Sequence, residues 1–319
     1  MKKWLGLLAA FMMFLVCDTS AMATAPSAGE EVVVALGADL TAEQRATVLE
    51  LMGLTETDLE NCTVITITNE MEHQYLDSYL DASVIGSKSL SSVKLTKGEA
   101  GSGVLVTTQN INYCTTGMYR NALLTAGVED VEVLVVGPSP ISGTAGLIGA
   151  LKSYELMSGQ TIEDSVYDTA LNELIMTGEL SESLQNVQSD VTSEEVEALI
   201  AWLKGKIANG ELDTGDEESV RKAIAEGEQT FDITLTEEEK EQIISLLKKL
   251  DSIGLDADYL IDQAQQLYEK YGLEIVENAN EAINEAVESA VETAAKNFVQ
   301  EVKESITGFF KDLFSGFMN

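Results

Sequence analysis

The chain has 319 residues, with 54 acidic and 19 basic side chains and a formal net charge of −35. A surplus of that sign repels phosphate backbones and anionic lipid, so nucleic acid is excluded as a partner. Hydrophobic residues make up 45%, enough to bury a core, so the charge does not imply disorder.

Residues 1–23 read as a signal peptide. Lys2 and Lys3 give a positive start, Trp4 to Val16 is a short apolar run, and Ala21-Met22-Ala23 places small residues before a cut after Ala23. The apolar run falls short of the roughly 20 residues of a membrane span. Cys17 is a poor lipidation site because bulky Val16 precedes it. The expected localisation is therefore secreted or extracytoplasmic. Removing Lys2, Lys3 and Asp18 leaves 17 basic and 53 acidic residues, a net charge of −36.

Glu31 to Leu36 predicts a buried strand, and Gly37-Ala38-Asp39 a turn. Thr41 and Gln44 have the spacing of a capping box, opening a helix to about Met52. Cys62 to Thr68 alternates and is β-branched, which predicts a second strand; Asn69 opens a helix to about Leu80. Ser91 to Thr96 and Val104 to Ile111 read as a hairpin around glycines 98, 101 and 103. A helix from Thr115 or Thr116 to Ala126 follows, then a strand at Val131 to Val136, a Gly137-Pro138-Ser139-Pro140 stop, and a helix from Ser142 to Met157.

Beyond Gly159 the pattern is helical, with helices predicted at about 161–177, 193–208, 216–227, 237–250, 257–271 and 273–316, and a short strand at Thr230 to Leu235. The expected fold is α+β. A mixed-sheet α/β domain covers 30–158, a helical region 160–272, and a long amphipathic helix 273–319. Along that last helix Val276, Ala279, Ile283 and Val287 begin an apolar stripe that ends among Phe309, Phe310, Phe314 and Phe317. Helix–helix contact, within the chain, with an envelope protein or with a second copy, is favoured there over lipid, because Lys311 is the one basic residue of the tip.

Candidate chemistry concentrates at the ends of predicted strands. The 137–144 segment leads from a strand into a helix, and Ser139, Ser142 and Thr144 offer hydroxyls beside a helix start. The plain alternative is a proline-stiffened turn with Ser142 as helix cap. Asp39 lies at an equivalent strand end and joins Ser142 and Thr144 if the two strands are parallel neighbours. His73 is the single histidine, and Asp77 one turn later explains it as an ion-pair partner. Cys62 and Cys114, the cysteines left after cleavage, are compatible with one disulfide; two buried thiols are the alternative. No catalytic residues, no cofactor and no metal set are predicted. The acids do not follow the ligand order of a calcium loop, and no nucleophile elbow is present.

Four blocks resemble a known family: Val33-Val34-Ala35-Leu36-Gly37-Ala38-Asp39-Leu40-Thr41, Thr68-Asn69-Glu70-Met71-Glu72-His73-Gln74-Tyr75-Leu76, Asn121-Ala122-Leu123-Leu124-Thr125-Ala126-Gly127-Val128, and Pro140-Ile141-Ser142-Gly143-Thr144-Ala145-Gly146-Leu147. Over roughly 30–272 the chain resembles the YpuA-like exported proteins of Gram-positive bacteria, classed as domain of unknown function 1002. That resemblance implies an exported or envelope protein and brings no reaction with it. The leading expectation is a non-enzymatic binding protein. The competing one is a hydrolase-like enzyme or small-ligand binder using the 137–144 segment.

Overall fold

The computed structural model describes residues 31–256 and 259–260, apart from 81, 189 and 190. The expected signal peptide, most of the helix expected at 257–271 and the expected long terminal helix lie outside the described residues.

Five strands form one mixed sheet: β1 (Val32–Gly37), β2 (Thr63–Ile67), β3 (Ser92–Lys97), β4 (Val104–Ile111) and β5 (Val131–Ile141), in the order β2-β1-β3-β5-β4. β1 pairs parallel with β2, and β5 with β4; β3 runs antiparallel to both of its neighbours. All strands but β3 therefore end at the same edge. Between β1 and β2 lies α1 (Ala42–Leu51), held by the predicted Thr41–Gln44 capping box. After β2 come α2 (Asn69–Leu76) and the short α3 (Ala82–Ile85). α4 (Thr116–Thr125) links β4 to β5, and α5 (Thr144–Ser158) follows β5.

The period-2 alternation of the strands divides the sheet into two apolar faces. Val32, Val34 and Leu36 of β1, with Leu134 and Val136 of β5, pack under Val48 and Leu49 of α1 and Met52, its C-cap. On the other face α5 crosses β1 and β3. Gly149 makes that close approach necessary: a Cβ there would lie 3.2 Å from Val93 and 3.3 Å from Ala35.

The expected hairpin is corrected. β3 and β4 do not pair, because β5 inserts between them. Asp130 anchors the crossing: its carbonyl accepts from Gly98 N at 2.7 Å and its carboxylate from Gly103 N at 3.0 Å. β5 also runs past its expected stop at Val136 to Ile141. β3 begins at Ser92, opposite Val136, so the missing amides of Pro138 and Pro140 leave no β3 partner unpaired. A bulge between Gln109 and Ile111 keeps β4 in step with this extension.

The helical region comprises α6 (Asp164–Val187), α7 (Ser193–Ala208), α8 (Glu217–Phe231) and α9 (Glu237–Ser252). Capping boxes start α7 at Thr192 and α9 at Thr236. The strand expected at Thr230 to Leu235 is absent: Thr230 and Phe231 finish α8, the Thr230 hydroxyl bonds Glu226 O, and Asp232 closes the helix in the left-handed region. α6 runs ten residues past its expected end at 177 because Gly178 is a packing position. A Cβ there would meet the Tyr113 hydroxyl at 2.6 Å and Met118 Cε at 2.7 Å.

α6 and α7 dock on α4, whose residues Gly117 through Thr125 are all buried. Lys204 of α7 donates to Asn121 O, the Thr125 hydroxyl and Glu173 Oε1 at 2.9, 2.9 and 2.8 Å. The Thr125 hydroxyl in turn donates to Glu173. Lys204 and Glu173 are 3% and 0% exposed as side chains, so this ion pair is sealed from water.

The disulfide expectation is corrected as well: Cys62 and Cys114 are free thiols. Cys62 precedes β2 at one edge of the sheet, and Cys114 follows β4 at the other. Four inter-strand spacings of about 4.8 Å separate those edges, far beyond the ~6 Å that a disulfide spans between Cα atoms.

Candidate functional site

Four strands deliver their carboxyl ends to one edge of the sheet, the place where open α/β sheets bind ligands. Over the end of β1 lies a strap, Gly86–Leu90. A Cβ on Gly37 would stand 2.4 Å from Ser89 O and 2.8 Å from Leu90 Cα, so only glycine lets the strap cross there. Asp39 fastens it: Ser89 N donates to Asp39 Oδ2 at 2.8 Å, and Asp39 N to Ser89 O at 3.1 Å. From α2, Asn69 Nδ2 and His73 Nε2 both reach Gly86 O, at 3.3 and 3.2 Å. His73 Nδ1 meets Asp77 at 2.7 Å, the ion pair expected from the sequence. At the start of β3, the Ser92 hydroxyl accepts from Gly37 N at 3.1 Å.

Beneath the strap sits Glu72, 3% exposed. Burial is the largest influence on its carboxyl and pushes it up to about 7. The Ser89 hydroxyl and the charge on His73 pull the other way, and the charge on Asp39 adds to the rise. Glu72 Oε1 and Ser89 Oγ are fully buried without a well-formed hydrogen bond among the described residues, although the hydroxyl stands near enough to favour the Glu72 anion. Buried acceptors are ordinarily paired. This corner thus combines a near-neutral carboxyl, an exposed carboxylate on Asp39 and an unengaged hydroxyl.

The predicted site residues divide. Asp39 belongs to this corner. Ser139 is exposed on the extension of β5, Ser142 is half-buried with its carbonyl taken by Cys114 N, and Thr144 is buried. Asp39 and Ser142 were expected together if β1 and β5 were neighbours. The strands are parallel, but β3 separates them by about 10 Å. Nor is Ser142 the cap of α5; Gly143 is, in the left-handed region, and the Tyr119 hydroxyl donates to its carbonyl. Burial pushes the Cys114 thiol up to about 12, which removes the thiolate a cysteine nucleophile requires. No group of three or more His, Cys, Asp or Glu side chains among the described residues is placed to hold a metal ion.

Glu72 and Ser89 were not singled out in the sequence. Glu72 carries a readable signal: it shares a helix face with Leu76, four residues on, and the two are the buried residues of α2. An acid on the apolar stripe of a short helix is the anomaly that points to it.

The sequence model of a family described as protein of unknown function (DUF1002) matches residues 36–267. The chain belongs to this family. It is also 37% identical over 272 residues to the "Uncharacterized protein YpuA" of Bacillus subtilis (strain 168), spanning 85% of this chain and 89% of that protein. No solved structure matches. The match to the DUF1002 family model takes in every element from α1 to α9, including the strap and Glu72. Among the described residues, no helix is long and apolar enough to cross a membrane.

Proposed function

We propose that this DUF1002 protein is an exported, non-enzymatic binding protein that holds a small polar ligand at the carboxyl edge of its sheet, between Asp39 and the strap. The observation that carries the reading is Glu72: a buried carboxyl with an oxygen left unbonded, beside a second carboxyl and a buried hydroxyl, at the ends of two adjacent parallel strands. A ligand with hydrogen-bond donors would complete those groups. Export is supported by the Lys2–Lys3 start, the apolar run and the Ala21-Met22-Ala23 cleavage signal. A carboxyl raised to about 7 also suits a general base, and the binding reading is preferred because the Ser89 hydroxyl beside it has no well-formed hydrogen bond among the described residues and so is not oriented as a nucleophile.

Thermal-shift screening of the mature protein against amines, amino acids, sugars and divalent cations tests this. A ligand at a hundredfold excess over its dissociation constant adds about 2.7 kcal/mol to stability. At least one class should raise the melting temperature of the wild type and fail to do so for Glu72→Gln and Asp39→Ala. Equal shifts in all three proteins, or none in any, would remove the site.

A further inference from the structure

The strap is held along its length, by the pair of bonds between Asp39 and Ser89, by Gly86 N to Ala82 O at 3.0 Å and by the Ser92 hydroxyl to Leu90 O at 3.4 Å, and two of its neighbours titrate. Gly86, in the left-handed region at φ 79°, marks one end as a hinge that a side chain would strain. From there the chain reaches Ser89, where the Asp39 carboxylate holds the amide. The Gly86 carbonyl is the other anchor, shared by Asn69 and His73. His73 lies between two acceptors, Gly86 O and Asp77. An imidazolium carries two N–H groups and serves both; a neutral ring carries one and serves only one. Glu72 lies under the closed strap, where an anion is costly.

We propose that the Gly86–Leu90 strap is a proton-controlled latch over the strand-end corner, closed while Glu72 is neutral and His73 is charged, and released as both lose their protons. The latch rests on the binding reading for its purpose, since release uncovers the groups assigned to the ligand.

Both titrations act in one direction. The closed strap raises Glu72 above its ordinary 4.5 to about 7. Closure is therefore fully favoured below about 4.5 and loses that contribution as pH rises to about 7. His73 is likewise raised, first by its bond to Asp77, so its contribution also fades with rising pH. The surrounding charges are Asp39 after β1, Glu70 and Asp77 on α2, and Lys88 in the strap itself. On the helices packed against α2, Lys152 of α5 lies over Tyr75, and Asp168 of α6 bonds the Tyr79 hydroxyl. Those contacts tie α2 and the turn after it to the helices, so release of the strap need not move α2.

Amide hydrogen exchange on the ligand-free mature protein tests the latch. Protection factors, corrected for intrinsic rates, are read at the Ser89 amide and at β5 amides between about pH 5 and about pH 8, a range that brackets the Glu72 transition. We expect Ser89 protection to fall at least about tenfold while β5 holds, tenfold being the change in an equilibrium constant that a raised carboxyl drives over one pH unit. Glu72→Gln with His73→Gln should abolish the fall, and Glu72→Gln alone should reduce it. A wild-type Ser89 amide with constant protection overturns the latch, as does an equal fall in the double variant. No ligand is present, so failure here leaves the thermal-shift result standing, and failure of the screen leaves the latch standing.

Discussion

Two buried carboxylates divide the molecule. Glu173, between α4, α6 and α7, has both oxygens engaged, one by Lys204 and one by Thr125. Glu72, under the strap, has an oxygen with no bond and no buried cation beside it. The first arrangement is closed: each charge is met, so it fixes how the helices dock and offers nothing to a ligand. The second is open, at the strand ends where ligands enter such sheets. Equal burial thus carries opposite meanings, and the tally of hydrogen bonds together with position in the fold separates scaffold from site, since Glu197 Oε2 is as unpartnered among the described residues as Glu72 Oε1. Glu197 falls between them. Thr115 bonds one of its oxygens and Arg120 lies near, yet burial still pushes it up to about 7, as it lowers Arg120 to about 10. Its place inside the helical interface, with Asn121 Nδ2 on its own carbonyl at 3.3 Å, groups it with the scaffold.

The sharpest way to break this contrast is to unbalance the scaffold pair. Lys204→Met leaves Glu173 buried without its cation and should cost about 3–5 kcal/mol by urea unfolding. Lys204→Met with Glu173→Leu should recover most of the loss. A single variant within about 0.5 kcal/mol of wild type, as for an ordinary surface change, would show that the pair is not sealed.

Next in size is the strap itself. Gly37→Ala drives a methyl into Ser89 O and Leu90, backbone atoms that cannot yield as a side chain would. We expect about 1–3 kcal/mol of destabilisation. The exchange protection of Ser89 should fall further than that of α7. Equal losses in both places would mean that the strap is part of the scaffold.

Glu72→Gln should produce a smaller effect that depends on pH. Because the folded protein holds Glu72 at about 7, above its ordinary 4.5, wild-type stability from this group is complete below about 4.5 and is lost as pH rises to about 7. The variant lacks that slope. The gap between the two proteins should change by roughly 1–2 kcal/mol across the window, less than the full linkage of about 1.36 kcal/mol per pH unit because Asp39 opens the corner to water. Chemical denaturation at several pH values checks it; parallel curves would contradict it.

The smallest effect concerns the thiols. Reductant should leave the melting temperature unchanged, and native labelling should modify half-buried Cys62 well before buried Cys114, both reacting once the chain unfolds. A reductant-sensitive melting temperature would restore the disulfide.

The sequence revealed elements better than partners. Thr41, Thr115, Thr192 and Thr236 mark helix starts because a cap is local chemistry within four residues. β1 is legible because Val32, Val33 and Val34 are buried on both faces. Strand order is not local. Nothing in the 91–111 run shows that β5 will enter between β3 and β4, since the Gly98 and Gly103 bonds to Asp130 span about 30 residues. The end of β5 was hidden for a similar reason: prolines stop a strand only where a neighbour needs their amides, and β3, which begins opposite Val136, does not reach them. At the site, Asp39 was legible as a polar residue after a buried strand, and His73 through its i, i+4 acid. Ser89 was not, because its role depends on Gly37 lacking a side chain 52 positions away in the sequence. Glu72 and Glu173 look alike in sequence, each an acid on an apolar helix face. Only the three-dimensional neighbours tell them apart.

The most direct test of this division is the titration of Glu72 itself, followed by carboxyl-carbon NMR on the protein, with Glu72→Gln assigning the resonance. The account predicts a transition near 7, accompanied by shifts at the Ser89 and Gly86 amides. A Glu72 carboxyl that titrates near 4.5, with those amides unmoved, would contradict it and return the corner to ordinary surface.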